Sequence, residues 1–221
     1  MTTKYNNVFI EDAYTVCGNY ENDGPLSKYF DKKHKKDLYF GEKSWEKAEV
    51  HLLKEANENI LKKNKLKEQD IDLLISGDLQ NQIAASDYMA RDFDIPFLGI
   101  FEACSTSSEG LIIGSNFIEG KICKRILVST SSHNMVSEKQ FRNPTEYGTP
   151  KPKTATFTAT GAVSILLTNK KNKVKIESST IGKVVDMGTT DVNHMGAVMA
   201  PAAGDVIYNH LTDTKRDTSY Y

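Results

Sequence analysis

"LGIFEACSTSSEGLIIG", residues 98–114, is the stretch whose reading decides the fold. The apolar run from Phe97 to Phe101 reads as a buried strand that stops at Glu102-Ala103. A cysteine and a cluster of hydroxyls follow. An apolar segment then predicts a helix from about Ser105 to Glu119, spaced by Gly110 and Gly114 and stopped by Gly120. The two glycines read as places where that helix packs closely. In an open α/β sheet, ligands collect at the carboxyl ends of the strands, and Cys104 falls at such an end. The unpaired N–H groups and dipole of a helix N-terminus favour negative charge there. Position alone leaves two readings for Cys104: a small buried hydrophobe, or a nucleophile or anion-holding group at a crevice.

The same alternation extends on both sides. Residues 7–16, "NVFIEDAYTV", read as a first strand, and the polar stretch 18–43 as an irregular excursion. Ser44 caps a helix in which Trp45, Ala48, Leu52, Ala56 and Ile60 recur on one face. "IDLLIS", 71–76, suits a strand buried on both faces, and the chain turns at Gly77. A helix from Ala84 to Phe93 ends before Pro96, and "RILVSTSS", 125–132, is a further strand. The β-α-β-α-β-α-β order predicts a parallel sheet with right-handed crossovers. A long loop is expected over 133–153, then strands over 154–169 and 174–185, with Gly161 bending the first. Residues 195–211 begin another helix, loosely like the entry to the helix after Ser44, so the chain reads as starting a second repeat.

Bulk properties exclude several classes. With 28 Lys and Arg against 29 Asp and Glu, net charge is −1, and no global field points to nucleic acid. The basic run "DKKHKKD", 31–37, reads as a solvated loop. "MTTKYNNVF" lacks the apolar core of a signal peptide, and no run of roughly 18 apolar residues predicts a membrane span. Cys17, Cys104 and Cys123 are too few and too scattered for a disulfide framework, which suits a reducing compartment. Asp186, Asp191 and His194 do not follow a known metal-ligand spacing, and no metal is expected. Among the five histidines, His133 follows the strand 125–132 and so is expected at a carboxyl end, beside Asn134.

"FEACSTSSEGL", "RILVSTSSHN" and "TATFTATGAVSILL" resemble the amino-terminal half of thiolase-fold proteins, above all the ketoacyl-carrier-protein synthase III branch. "GDLQNQ", "SSHNMVSEKQFRNPTEYGTPKPKTATFTATGA" and "DMGTTDVNHMGAVMAPAA" narrow the resemblance to the stage V sporulation protein AD family, thiolase-like proteins of endospore formers. The resemblance implies an α/β, thiolase-like fold: a complete first βαβαβαββ repeat over 1–173 and an incomplete second repeat over 174–221. It places Cys104 at the family's nucleophile position. The catalytic His and Asn of the condensing enzymes come from the second half, so neither His133 nor His194 takes those roles by matching.

The resemblance further implies binding of dipicolinate (pyridine-2,6-dicarboxylate), free or as its calcium chelate, with no cofactor. It implies movement of that ligand into the spore and out at germination, with other proteins of the operon at the inner spore membrane. It also implies a homodimer for the full-length protein, soluble and peripheral to that membrane. A flat pyridine with two carboxylates wants N–H donors, a cation and an apolar slot. The candidate wall is Cys104, Ser105, Ser107, His133, Asn134, Arg142, Tyr147 and Lys153, with Lys151 and Phe141 in reach. The rival readings are an acyltransferase acylated on Cys104, and a scaffold that docks membrane partners.

Overall fold

A computed structural model describes residues 1–141, 158–191 and 194–221, without the side chains of 138–141. In chain order the strands are β1 (Thr2–Lys4), β2 (Phe9–Cys17), β3 (Lys32–Lys33), β4 (Leu73–Gly77), β5 (Phe97–Gly99), β6 (Arg125–Ser132), β7 (Gly161–Thr168), β8 (Val174–Lys175) and β9 (Ser178–Thr180). The helices are α1 (Asn19–Asn22), α2 (Trp45–Lys63), α3 (Ala84–Ala90), α4 (Thr106–Glu119), α5 (Asn134–Phe141) and α6 (Met195–Thr214). Two compact units result: residues 7–175, and residues 1–6 with 176–221.

The larger unit is built on a seven-stranded sheet in the order β3-β2-β7-β6-β4-β5, with β8 beside β2. β4 pairs parallel with β5 and β6, whereas β7 runs antiparallel to both β2 and β6. The strands of the β-α-β-α-β-α-β run, β2, β4, β5 and β6, share a direction as expected. β7, which no helix precedes in that alternation, enters between the first strand and the rest and opposes them. The carboxyl ends Cys17, Gly77 and Ser132 therefore meet one edge of the sheet, where Gly161 opens β7 opposite Cys17 and Ser132.

Helix α2 covers one face. Ser44 Oγ accepts the Lys47 N–H at 3.3 Å, as its capping role predicts. The buried stripe holds Ala48, Leu52, Leu53, Ala56, Ile60 and Leu61, packed with Leu74, Met89, Leu127 and Leu166. The other face carries α4 at short range: a Cβ on Gly110 would lie 2.6 Å from Val128 Cγ1, and one on Gly114 2.8 Å from Leu167 Cδ1.

Three expectations are revised. The loop expected from 133 opens instead with α5, whose first turn closes through the Val136 and Ser137 N–H groups on His133 O. The strand expected at 154–169 is β7 alone within the described residues, and 154–157 lie outside them. The strand expected at 174–185 divides into β8 and β9. β9 pairs antiparallel with β1, and in the same unit His210 Nδ1 on α6 meets Thr180 Oγ1 at 2.7 Å. No residue of α6 is buried, although its mean hydropathy is that of an apolar helix.

Candidate functional site

The shared strand edge holds a cavity of about 400 Å³. Its lining comes from the ends of three strands and the start of a helix: Gly77, Asp78 and Leu79 after β4, Thr130 to Ser132 at the end of β6, Thr158 to Val163 leading into β7, and Ala103, Cys104, Thr106 and Ser107 at α4. Thr15, Val16, Glu21 and Phe30 complete it.

The strand–helix joint is tight. After β5, residues 103–105 form one 3₁₀ turn before α4 begins. Ala103 takes φ 46°, a left-handed conformation uncommon for a residue with a Cβ. Thr106, 3% exposed, ties the turn from inside: its Oγ1 donates to Ala103 O at 2.8 Å and accepts the Glu102 N–H at 3.1 Å. Cys104 is exposed and lines the cavity. Ser105 makes no side-chain cap; its Oγ donates back to Glu102 O. The joint comes this close to the sheet because β4 ends in glycine: a Cβ on Gly77 would lie 2.1 Å from Ile100 O and 2.6 Å from Thr106 Cγ2.

The other predicted residues divide. Ser107 lines the cavity beside Cys104. His133 does not. It is fully buried, its Nε2 donates to Leu38 O at 2.8 Å, and its Nδ1 accepts the Met135 N–H at 3.2 Å. Burial holds this imidazole below the usual histidine range despite the Leu38 carbonyl, so it is neutral at pH 7. It pins the 18–43 excursion to the end of β6 rather than facing a ligand. Asn134, 2% exposed, acts one residue away from the cavity: its N–H donates to Thr160 Oγ1, and that hydroxyl donates to Asn134 Oδ1, both at 3.0 Å. Arg142, Tyr147, Lys151 and Lys153 lie outside the described residues, as does the side chain of Phe141. His194 uses Nδ1 to accept the Ala197 N–H at the start of α6, and among the described residues it does not group with Asp186 and Asp191 as a metal cluster.

The sequence reading passed over three carboxyl groups. Glu21 Oε1 accepts the Thr160 N–H at 2.9 Å, while its Oε2 is enclosed without a partner. Asp78, 1% exposed, accepts the Gln80 and Ser86 N–H groups at 2.8 and 2.7 Å. Burial raises its carboxyl above the usual range, and those hydrogen bonds only partly offset the effect. Behind it, fully buried Glu49 accepts from Gln80 Nε2 at 2.9 Å and Ser131 Oγ at 3.0 Å, and desolvation pushes it up to about 8. The signal was present in α2: Glu49 and Asn57 sit within its buried stripe, where a polar side chain requires a partner. Asn57 finds Ser129 and Ser164, and Ser129 hands on to Ser76.

A family model described as stage V sporulation protein AD matches residues 2–221. The chain belongs to that family. It is 46% identical over 214 residues to stage V sporulation protein AD of Bacillus subtilis (strain 168), an alignment that takes in 97% of this chain and 63% of the relative. The chain thus spans under two thirds of that relative's length. Among solved structures, cerulenin-bound OleA of Xanthomonas campestris superposes with a TM-score of 0.65 at 10% identity, over 98% of this chain and 75% of that one. The 3-oxoacyl-(acyl carrier protein) synthase III of Xanthomonas oryzae gives 0.58 at 12%, over 98% and 76%. The corresponding synthase of Aquifex aeolicus gives 0.51 at 16%, over 75% and 55%. At such identities these likenesses bear on the fold alone, and the fold is thiolase-like. Among the described residues no helix is long and apolar enough to cross a membrane.

Proposed function

We propose that this family member binds pyridine-2,6-dicarboxylate in the strand-end cavity. The observation that carries the reading is the convergence of the uncapped α4 N-terminus, Cys104, Ser107 and the hydroxyls of Thr130, Ser132 and Thr158 on one cavity of about 400 Å³. Backbone N–H groups at a helix start are carboxylate donors, and Phe30 and Leu79 offer apolar surface for the ring. Lys and Arg are missing from the described lining residues, and Glu21 would repel a bare dianion. The calcium chelate suits the lining better, because Glu21 brings to it the carboxylate chemistry that Ca²⁺ prefers. Arg142, Tyr147 and Lys153 remain proposed contacts, and Asn134 and His133 support the wall from behind. Family membership supports the wider role: moving dipicolinate into the spore and releasing it at germination, beside partner proteins of the operon at the inner spore membrane, as a homodimer when full length.

The test is calorimetric titration of the folded chain with pyridine-2,6-dicarboxylate, with and without Ca²⁺, against the 3,5-isomer. Selective binding that Cys104→Ala weakens, with circular dichroism unchanged, is expected. A folded chain that fails to discriminate the isomers overturns the reading.

The exposure of Cys104 at a strained strand–helix turn favours a second reading, transfer of an acyl group from a thioester to the Cys104 thiolate with release of the donor thiol. The described cavity lining contains no histidine to serve as base. Mass spectrometry after incubation with an acyl thioester decides it, since acylation lost in Cys104→Ala is its required signature.

A further inference from the structure

Away from the cavity lining, the 18–43 excursion folds back over the exposed flank of α2 and brings imidazoles and carboxylates together. His51 and Glu55 stand one turn apart on α2. His34 follows β3, and its N–H donates to Cys17 O at 2.9 Å, which fixes its backbone to the end of β2. One ligand atom from each of His34, His51 and Glu55 lies within 4.8 Å of the other two. His34 Nε2 is 2.6 Å from Glu55 Oε2, the two rings are 6.0 Å apart between centroids, and Glu42 Oε1 is 3.3 Å from His51 Nδ1.

We propose that His34, His51 and Glu55 form a transition-metal site that takes Zn²⁺, with water completing the coordination, and clips the excursion to α2. The donor set is two imidazoles with carboxylate oxygens, which suits zinc and its neighbours rather than Ca²⁺, a cation of all-oxygen sites. Donors around a tetrahedral zinc lie about 3.3 Å apart, given metal–nitrogen and metal–oxygen bonds near 2.0 Å. The three side chains start within 4.8 Å of one another and are only half-buried, so they are not locked by close packing. The competitor is visible as well. Lys32 Nζ is 2.5 Å from Glu55 Oε1, where a metal ion would displace it. Such an ion would tie the residue that follows β3 to α2, beside Phe40, whose ring centroid lies 4.8 Å from that of His34.

The experiment uses the tag-free full chain, stripped with a chelator and titrated with ZnCl₂ and, separately, CaCl₂. One Zn²⁺ per chain and no Ca²⁺ response are expected, and Co²⁺ in place of Zn²⁺ should give visible bands of nitrogen–oxygen coordination. His51→Gln, at a partly exposed helix position, and Glu55→Gln should weaken Zn²⁺ binding by more than about tenfold, the upper-shell loss alone reaching that size. Lys32→Ala should tighten it, an outcome that mere loss of structure would not produce. Absence of stoichiometric Zn²⁺ binding by the folded chain, or binding that His51→Gln and Lys32→Ala both leave unchanged, overturns the site.

Discussion

Gly77 shows how one missing atom sets the geometry of the cavity. The Ile100 carbonyl occupies the space a Cβ would need, and Thr106, which ties the Cys104 turn, stands beside it. A backbone oxygen at 2.1 Å cannot swing aside as a side-chain tip can. Gly77→Ala should therefore cost about 3 kcal/mol or more, at or beyond the upper end for overpacking, and it should disturb the Cys104 joint. Urea unfolding reads the first effect, and an unchanged midpoint would remove this account of the joint. At this scale the sequence was partly legible. Gly77 announced a break but not the close approach behind it, because a glycine marks many different needs with the same letter. Cys104 and Ser107 were legible because a strand running into a helix puts the joint at the sheet edge whatever the detail. His133 was not: its position at the end of β6 was right, but a ring can turn toward solvent or core, and Leu38 O, distant in sequence, turned it inward.

Among the elements, α4 is the one whose placement depends on two missing side chains. Replacing Gly110 with Ala gains about 1 kcal/mol in helix propensity, yet it sets a Cβ 2.6 Å from Val128 Cγ1 on a strand where a β-branched side chain has little rotamer freedom. Overpacking of about 1–3 kcal/mol should win. Gly110→Ala should then destabilise the otherwise unaltered chain and stabilise a Val128→Ala background, a sign reversal that a double-mutant cycle in urea measures. Equal effects in both backgrounds would mean that the Val128 contact does not limit α4. The elements themselves were mostly legible: the α2 periodicity, its Ser44 cap and the runs that became β4 and β6 follow from local pattern. So was the shared direction of β2, β4, β5 and β6, but the place of β7 between β2 and β6 was not, because it rests on pairing with Cys17 and Ser132, far away in the chain. α5 escaped notice because "NMVSEKQF" has too short an apolar pattern to distinguish a two-turn helix from a loop.

For the whole molecule, the buried polar seam beneath the sheet couples stability to pH. Glu49 is almost entirely enclosed and rises from the ordinary carboxylate value to about 8, chiefly by desolvation, with the Asp78 and Glu46 charges adding and the Gln80 and Ser131 hydrogen bonds opposing. Between about pH 4.5 and 8 the unfolded chain releases this proton while the folded chain keeps it. Folding then binds a proton, and stability falls as pH rises, with a slope approaching about 1.4 kcal/mol per pH unit from this one group. Asp78, also raised by burial, works in the same direction. His133 works the other way: its folded value is lowered by burial, so its contribution is present above 6.5 and lost as pH falls below it. Below 6.5 the two trends oppose each other, and above it the Glu49 trend acts alone, so stability falls from neutrality toward pH 8. Gln in place of Glu49 copies the protonated acid, keeping a carbonyl for Gln80 and supplying a donor toward Ser131. Glu49→Gln should be nearly neutral near pH 5 and stabilising near pH 8, with the His133 contribution unchanged. Urea midpoints of both chains across that range measure the difference, and parallel profiles would show that Glu49 ionises in the folded protein without consequence.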